Sequence, residues 1–167
     1  MQPGDLDALA SDLEGSLRRL VHEGIDLRLV PREGPVPVTM DRGQIERVGL
    51  NLVANARDAM PSGGTLSVRV AVAAVRGGSR DEIEQNVRPG SYAILDVSDT
   101  GSGMDANTKK RLFEPFFTTK APGRGTGLGL SMAYGVVTRH GGYIRFRSEE
   151  GRGTTFRIYL PLRQQAT

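Results

Sequence analysis

The sequence predicts an α+β fold, a two-layer sandwich in which helices cover one face of a mostly antiparallel, mixed sheet. Three observations lead there. Segments of alternating polarity recur, TLSVRVAVAAV, SYAILDVSD, YIRFRS and TTFRIYLP, and a period of two belongs to strands. Before and between them lie stretches whose apolar residues return every three or four positions, as on a helix with one buried face. The last two strands are separated only by EEGRG, a turn short enough to make them antiparallel neighbours. A chain of 167 residues with 38% hydrophobic content fills one core and leaves little room for two.

Taken in order, Leu6, Leu9, Ala10, Leu13, Leu17, Leu20 and Val21 predict a helix over about residues 4 to 23 that Gly24 ends. IDLRLV and VPVTM read as short extended segments around the turn PREGP. Asp41, with Gln44 three residues on, is a good N-cap for a helix closed by Pro61, Gly63 and Gly64. The strand TLSVRVAVAAV follows, then the polar excursion RGGSRDEIEQNVRPG, which reads as a mobile loop, then SYAILDVSD. A short helix DANTKKRLF capped by Asp105 interrupts a Gly-, Thr- and Pro-rich region. A helix through GLGLSMAYGVVTRHGG stops at Gly141 and Gly142, ahead of the closing hairpin.

Composition removes several classes of chemistry. Cys 0 excludes disulfides and thiolate catalysis, and His22 and His140 alone make no zinc site. No apolar run is long enough to span a bilayer, and MQPGDLDALASDLEG is unlike a signal peptide. A soluble, cytoplasmic chain without direct membrane contact is expected. The net charge of +3 is scattered rather than clustered, so no nucleic-acid partner is expected.

Three features carry chemistry. On the helix after Asp41, the residues Ile45, Val48, Gly49, Leu52, Val53, Ala56, Ala59 and Met60 share one face, and Gln44, Asn51, Asn55 and Asp58 form a polar stripe beside it. Such a stripe is either a solvated flank or a set of amides aimed into a cleft, where their oxygens suit a hard cation such as Mg²⁺. Asp99 ends a strand and is followed by Gly101 and Gly103, an arrangement that serves an ordinary turn or a carboxylate accepting from an exocyclic amine. GSGMDA imitates a dinucleotide fingerprint, but no acidic residue ends a second strand about twenty residues later. Finally GRGTGLGLS leads into a helix, so Gly125, Gly127 and Gly129 offer backbone N–H groups to a phosphate, unless the loop is a plain hinge. Lys120 stands just upstream.

In the order NLVANARDA, DTGSG, LFEPFF, GTGLGLS and GRGTTF, almost the whole chain resembles the ATP-binding catalytic domain of bacterial sensor histidine kinases, in the superfamily with gyrase, mismatch-repair and chaperone ATPases. The resemblance implies the Bergerat-type fold of that superfamily, with ATP and Mg²⁺ as ligands. It implies that Asn55 and Asn51 chelate the metal and that Asp99 reads adenine, with Gly101, Gly103 and Met104 in the loop beside it. A mobile ATP lid is implied over about residues 104–126, its segment from Phe113 to Arg124 including Lys120. Gly125, Thr126, Gly127, Leu128, Gly129 and Leu130 match the second glycine box, and Thr154 a threonine near the adenine.

Two positions depart from relatives. Where hydrolysing members place a glutamate base, this chain has Asn51, which cannot take a proton. Asp58 replaces a Lys or Arg common in histidine kinases, so a purine-side and a helix-stabilising role are both open. The resemblance therefore implies the phosphoryl-donor half of a kinase, whose acceptor histidine lies on a dimerisation domain in cis or trans, with a response regulator receiver domain downstream. His22–Glu23 does not imitate that acceptor, since Gly24 ends the helix at once; His22 and His140 read as helix C-terminal residues. The single domain spanning 1–167 is expected to be monomeric, either free-standing or excised from a longer parent, with membrane anchoring of that parent left open. It supplies no catalytic residue beyond ATP positioning. The alternatives are a regulatory nucleotide-binding module, for instance for a cyclic dinucleotide, and an anti-sigma-type serine kinase.

Overall fold

The computed structural model describes residues 1–115, 117 and 129–163. Its elements are β1 (Gln2–Asp5), α1 (Leu6–Asp12), α2 (Glu14–Leu20), β2 (Ile25–Val30), β3 (Pro37–Met40), α3 (Arg42–Asp58), β4 (Gly64–Val75), β5 (Gly90–Asp99), α4 (Ala106–Arg111), α5 (Gly129–Arg139), β6 (Tyr143–Glu149) and β7 (Gly153–Pro161). The main sheet runs β2-β4-β5-β7-β6, with β2 parallel to β4 and the remaining pairs antiparallel. β1 and β3 form a separate antiparallel pair.

Strand alternation sorts the two faces of the sheet. Leu66, Val68 and Val70 of β4, Ala93, Leu95 and Val97 of β5, and Phe156, Ile158 and Leu160 of β7 join the helices in the main core. The opposite phase of β5 and β7 carries Tyr92, Ile94, Asp96, Arg157 and Tyr159. β5 lies at the centre of the sheet and is buried on both sides from Tyr92 to Val97. α3 begins as its sequence requires: the Asp41 carboxylate accepts from Gln44 N at 3.2 Å. It presses Ile45, Val48, Gly49, Leu52, Val53 and Ala56 into the core, and each large side chain so buried contributes roughly 1.5–3 kcal/mol. The backbone N–H of Asp41 also donates to His140 Nε2 at 3.0 Å, while His140 Nδ1 donates to the Val136 carbonyl at 2.8 Å. One imidazole thus joins the start of α3 to the end of α5.

The N-terminal region differs from the single helix expected. The Asp5 carboxylate binds the amides of Asp7 and Val36, which fixes the helix start at Leu6 and leaves residues 2–5 to pair with β3. Leu13 then separates α1 from α2, next to Gly15, a poor helix former. α2 ends at Leu20 rather than at Gly24, because Val21 is already extended. His22 is therefore outside the helix: its Nδ1 accepts from Gly24 N and its Nε2 donates to the Met60 carbonyl at 3.0 Å. The excursion over 76–90 is anchored rather than free. Ile83 and Val87 are buried, the Ile83 carbonyl accepts from the Tyr159 hydroxyl, Arg145 donates to the Gln85 and Asn86 carbonyls, and Arg147 pairs with Asp81. Polar composition hid two buried apolar residues, of which Val87 packs with Tyr92 and Tyr159 of the sheet.

A small apolar gap lies under the α1–α2 junction, lined by Leu9, Leu13, Ile45 and Gly49 among others. A Cβ on Gly49 would meet Leu13 Cδ1 at 3.7 Å, an ordinary contact. Gly49→Ala is accordingly expected to stabilise the domain by about 1 kcal/mol through helix propensity and cavity filling, seen as a higher denaturation midpoint with an unchanged m-value.

Candidate functional site

Asp99 is the last residue of β5, opposite Leu66 on β4. One carboxylate oxygen, Oδ1, accepts from Gly101 N at 2.8 Å and from Thr154 N at 3.3 Å. Among the described residues no hydrogen bond engages Oδ2. Burial pushes the Asp99 carboxyl above its ordinary value, outweighing the two amides that pull it down. A half-buried carboxylate with one oxygen fixed and the other open is suited to receive an amine donor.

Short polar bonds build the loop after it. Thr100 N donates to the Thr65 carbonyl at 3.2 Å and Thr65 N donates to Thr100 Oγ1 at 3.0 Å. Gly101 lies so close to the Ala59 carbonyl that no Cβ fits, and Ser102 N donates to that carbonyl at 3.1 Å. The C-terminal end of α3 is thereby fastened to the loop. Gly103 takes φ +69 against the Glu149 backbone, Gly151 N donates to the Ser102 carbonyl at 2.7 Å, and Met104 N donates to Ser148 Oγ at 2.9 Å. Ser148 Oγ lies 2.8 Å from Thr154 Oγ1. The turn between β6 and β7 and the loop after β5 form one hydrogen-bonded unit around Asp99.

Asn51 and Asn55 sit one turn apart on α3, both partly exposed. The Asn51 amide carbon lies 3.8 Å from where a Gly129 Cβ would stand, so the stripe runs beside the start of α5. Leu130, one residue on, packs against the core. Asp58 is exposed, and its carboxylate pairs with neighbouring Arg57 at 3.1 Å. Lys120, Gly125, Thr126, Gly127 and Leu128, with most of the expected lid segment from Phe113 to Arg124, lie outside the described residues. The part of LFEPFF that is described is held by ring contacts, Phe113 with Tyr134 at 5.2 Å and with Phe146 at 5.9 Å between centroids.

The family model for histidine kinase-, DNA gyrase B- and HSP90-like ATPases matches residues 40–164. The chain belongs to this family. As a histidine kinase-like ATPase domain it binds ATP, and its relatives are sensor kinases. It is 45% identical over 161 residues to sensor kinase CckA of Brucella abortus (strain 2308), a match covering 94% of this chain and 16% of that protein. Among solved structures it is similar to the mycobacterial sensor histidine kinase MprB, with 28% identity, TM-score 0.72, and coverage of 98% of this chain and 99% of that one. The catalytic domain of histidine kinase ThkA matches with 26% identity and TM-score 0.71, over 96% of this chain and 95% of that one. The chain is thus similar to histidine kinase catalytic domains, and it spans about a sixth of the length of the CckA relative.

In this ATPase domain two residues of the Asp99 unit escaped the sequence reading. Ser148 is the polar residue on the inward phase of YIRFRS, where Ile144 and Phe146 set the apolar pattern; that break in the alternation was the available signal. Gly153 takes φ +106, and a Cβ there would overlap the Asp99 carbonyl. It lies in the GRGTTF turn that carried the resemblance, but no role was assigned to it there.

Proposed function

We propose that this domain binds Mg-ATP and is the phosphoryl-donor half of a two-component sensor histidine kinase, passing the γ-phosphate to a histidine on a separate dimerisation domain. The observation that carries the reading is Asp99, with one oxygen held by Gly101 and Thr154 and the other open to the exocyclic amine of adenine. Gly101, Gly103, Met104 and Thr154 shape the rim of the base pocket. Leu130 supports the phosphate end, where Gly129 starts α5 and the helix dipole favours an anion. Gly125, Thr126, Gly127, Leu128 and Lys120 complete the phosphate contacts in this reading, within a lid over about residues 104–126. Asp58, beside Arg57 on the same helix, serves either a purine-side or a helix-stabilising role in this reading.

The residues present fit Mg²⁺. Among the described residues no cluster of three or more His, Cys, Asp or Glu side chains stands ready for a metal, and no hydrogen bond engages the Asn51 or Asn55 amide. Their oxygens, with phosphates and water, are the ligand set a hard octahedral cation accepts. Bound there, Mg²⁺ supplies neutralising charge to the triphosphate. Asn55 and Asn51 would hold the metal, while Asn51 offers no base to activate water, so the γ-phosphate is reserved for an imidazole nucleophile from the dimerisation domain. A receiver domain takes the phosphoryl group afterwards, and the parent protein presents this domain to the cytoplasm. The isolated domain is a monomer that binds nucleotide and transfers little.

Mixing the domain with a histidine-bearing two-helix domain and γ-labelled ATP tests this. Acid-labile, base-stable label on the partner's histidine is expected; nucleotide binding with no such label overturns the kinase reading. Asn55→Ala is expected to remove the Mg²⁺-dependent part of ATP affinity, about tenfold or more, while affinity in a chelator stays as in the wild type. Calorimetry with and without Mg²⁺ reads both.

A further inference from the structure

The hydroxyl of Ser148 is where three parts of the base pocket meet. Ser148 is 4% exposed, on the inward phase of β6. Its Oγ accepts from Met104 N at 2.9 Å, lies 2.8 Å from Thr154 Oγ1, and reaches the Gly153 carbonyl at 3.3 Å. Thr154, itself 7% exposed, gives its backbone N–H to Asp99 Oδ1. We infer that Ser148 is a positioning residue for base recognition: it fixes the Met104 amide and the direction of the Thr154 hydroxyl, and so sharpens the choice of adenine over guanine. The inference rests on the reading that Asp99 receives the base.

Counting protons and lone pairs shows why. A serine hydroxyl has one proton and two acceptor lone pairs. The Met104 amide occupies one lone pair. If the Ser148 proton goes to the Gly153 carbonyl, Thr154 donates to the remaining lone pair of Ser148 and presents only acceptors elsewhere. If the Ser148 proton goes to Thr154, the threonine proton is confined to the two positions that Ser148 leaves open. In both arrangements Ser148 restricts the rotation of the Thr154 hydroxyl and so narrows what it presents. Removing the Ser148 hydroxyl frees that rotor, which then accommodates the donor and acceptor edges of either purine. It also leaves the Met104 amide without its acceptor, at the point where the loop leaves Gly103.

The test uses Ser148→Ala, the nearly isosteric Ser148→Cys, and Thr154→Val, each titrated with Mg-ATP and Mg-GTP by calorimetry alongside thermal melting. Each Ser148 variant is expected to lose about tenfold in ATP affinity with GTP affinity little changed, so that the ATP:GTP preference shrinks by about tenfold. Thr154→Val is expected to reproduce the loss of preference, and adding Ser148→Ala to it should change the preference no further. If Ser148 only holds the hairpin, ATP and GTP affinity fall together and the preference stays at the wild-type value, which overturns the inference. Loss of cooperative melting in both Ser148 variants assigns the residue to the fold alone and overturns it as well. A wild-type domain with no preference for ATP refutes the Asp99 reading itself, a result distinct from an unchanged preference in the variants.

Discussion

Asp99→Asn is expected to lower ATP affinity by about a hundredfold while leaving the domain folded, since a charge-assisted bond to the base amine is replaced by an amide that presents a donor or a weaker acceptor. Adenine selectivity is lost with it, and titration with ATP and GTP measures both. The same substitution has an opposite effect on stability. The Asp99 carboxyl is held above its ordinary value of 3.8 by burial, so the folded protein binds that proton more tightly than the unfolded chain. Stability from this group is therefore present at low pH and falls as pH rises from the ordinary value through the raised one. A side-chain amide in place of the carboxylate would keep an oxygen for Gly101 N and Thr154 N without the charge. Asp99→Asn should consequently melt higher than wild type at neutral pH, with the difference vanishing below the ordinary carboxylate range. Equal melting at every pH would show that burial does not govern the carboxyl.

Gly153→Ala is expected to be the most destabilising single change near the site, by about 3 kcal/mol. Its φ of +106 disfavours any side chain, and an added Cβ would overlap the Asp99 carbonyl oxygen and crowd the Thr100 backbone. The clash is with the backbone of Asp99 and Thr100, so no side chain can rotate away. Denaturant unfolding should show a lower midpoint, and ATP affinity should fall further than the lost population of folded protein explains, because the strand end that aims Asp99 must move. Gly151→Ala is the control: its φ is +83, yet no atom stands within 4 Å of its Cβ position. It should cost only the backbone penalty and leave nucleotide affinity alone.

The fold was legible where one face of an element is buried against something large. α3 was readable from its cap to its apolar face, Asp41 through Ala56, because a long amphipathic helix repeats its signal over several turns. β4 to β7 were readable from alternation. The N-terminal helix was overextended because its apolar spacing continues through Leu20 and Val21, whereas its ends are set by tertiary bonds, Asp5 to Val36 N and His22 to Met60 O. Neither partner is near in sequence. The 76–90 excursion was read as loose for a related reason: Ile83 and Val87 are two apolar residues among charges, and the burial of Val87 depends on Tyr92 and Tyr159 of the sheet. In the site, Asp99, Gly101 and Gly103 announced themselves by motif. Ser148 is tied to that loop by contacts to Met104 and Thr154, one of them 44 residues away, and a serine in a strand carries no label for that.

The placement of Asp99 at the tip of β5 has a kinetic meaning. β5 is hydrogen-bonded on both edges and covered on both faces, so its amides should open to solvent only when the whole domain unfolds. The carboxylate thus extends from the slowest-opening strand, and its position is already set before any ligand arrives. On the function proposed above, the base meets a strand that need not rearrange, so binding carries no ordering cost at that point.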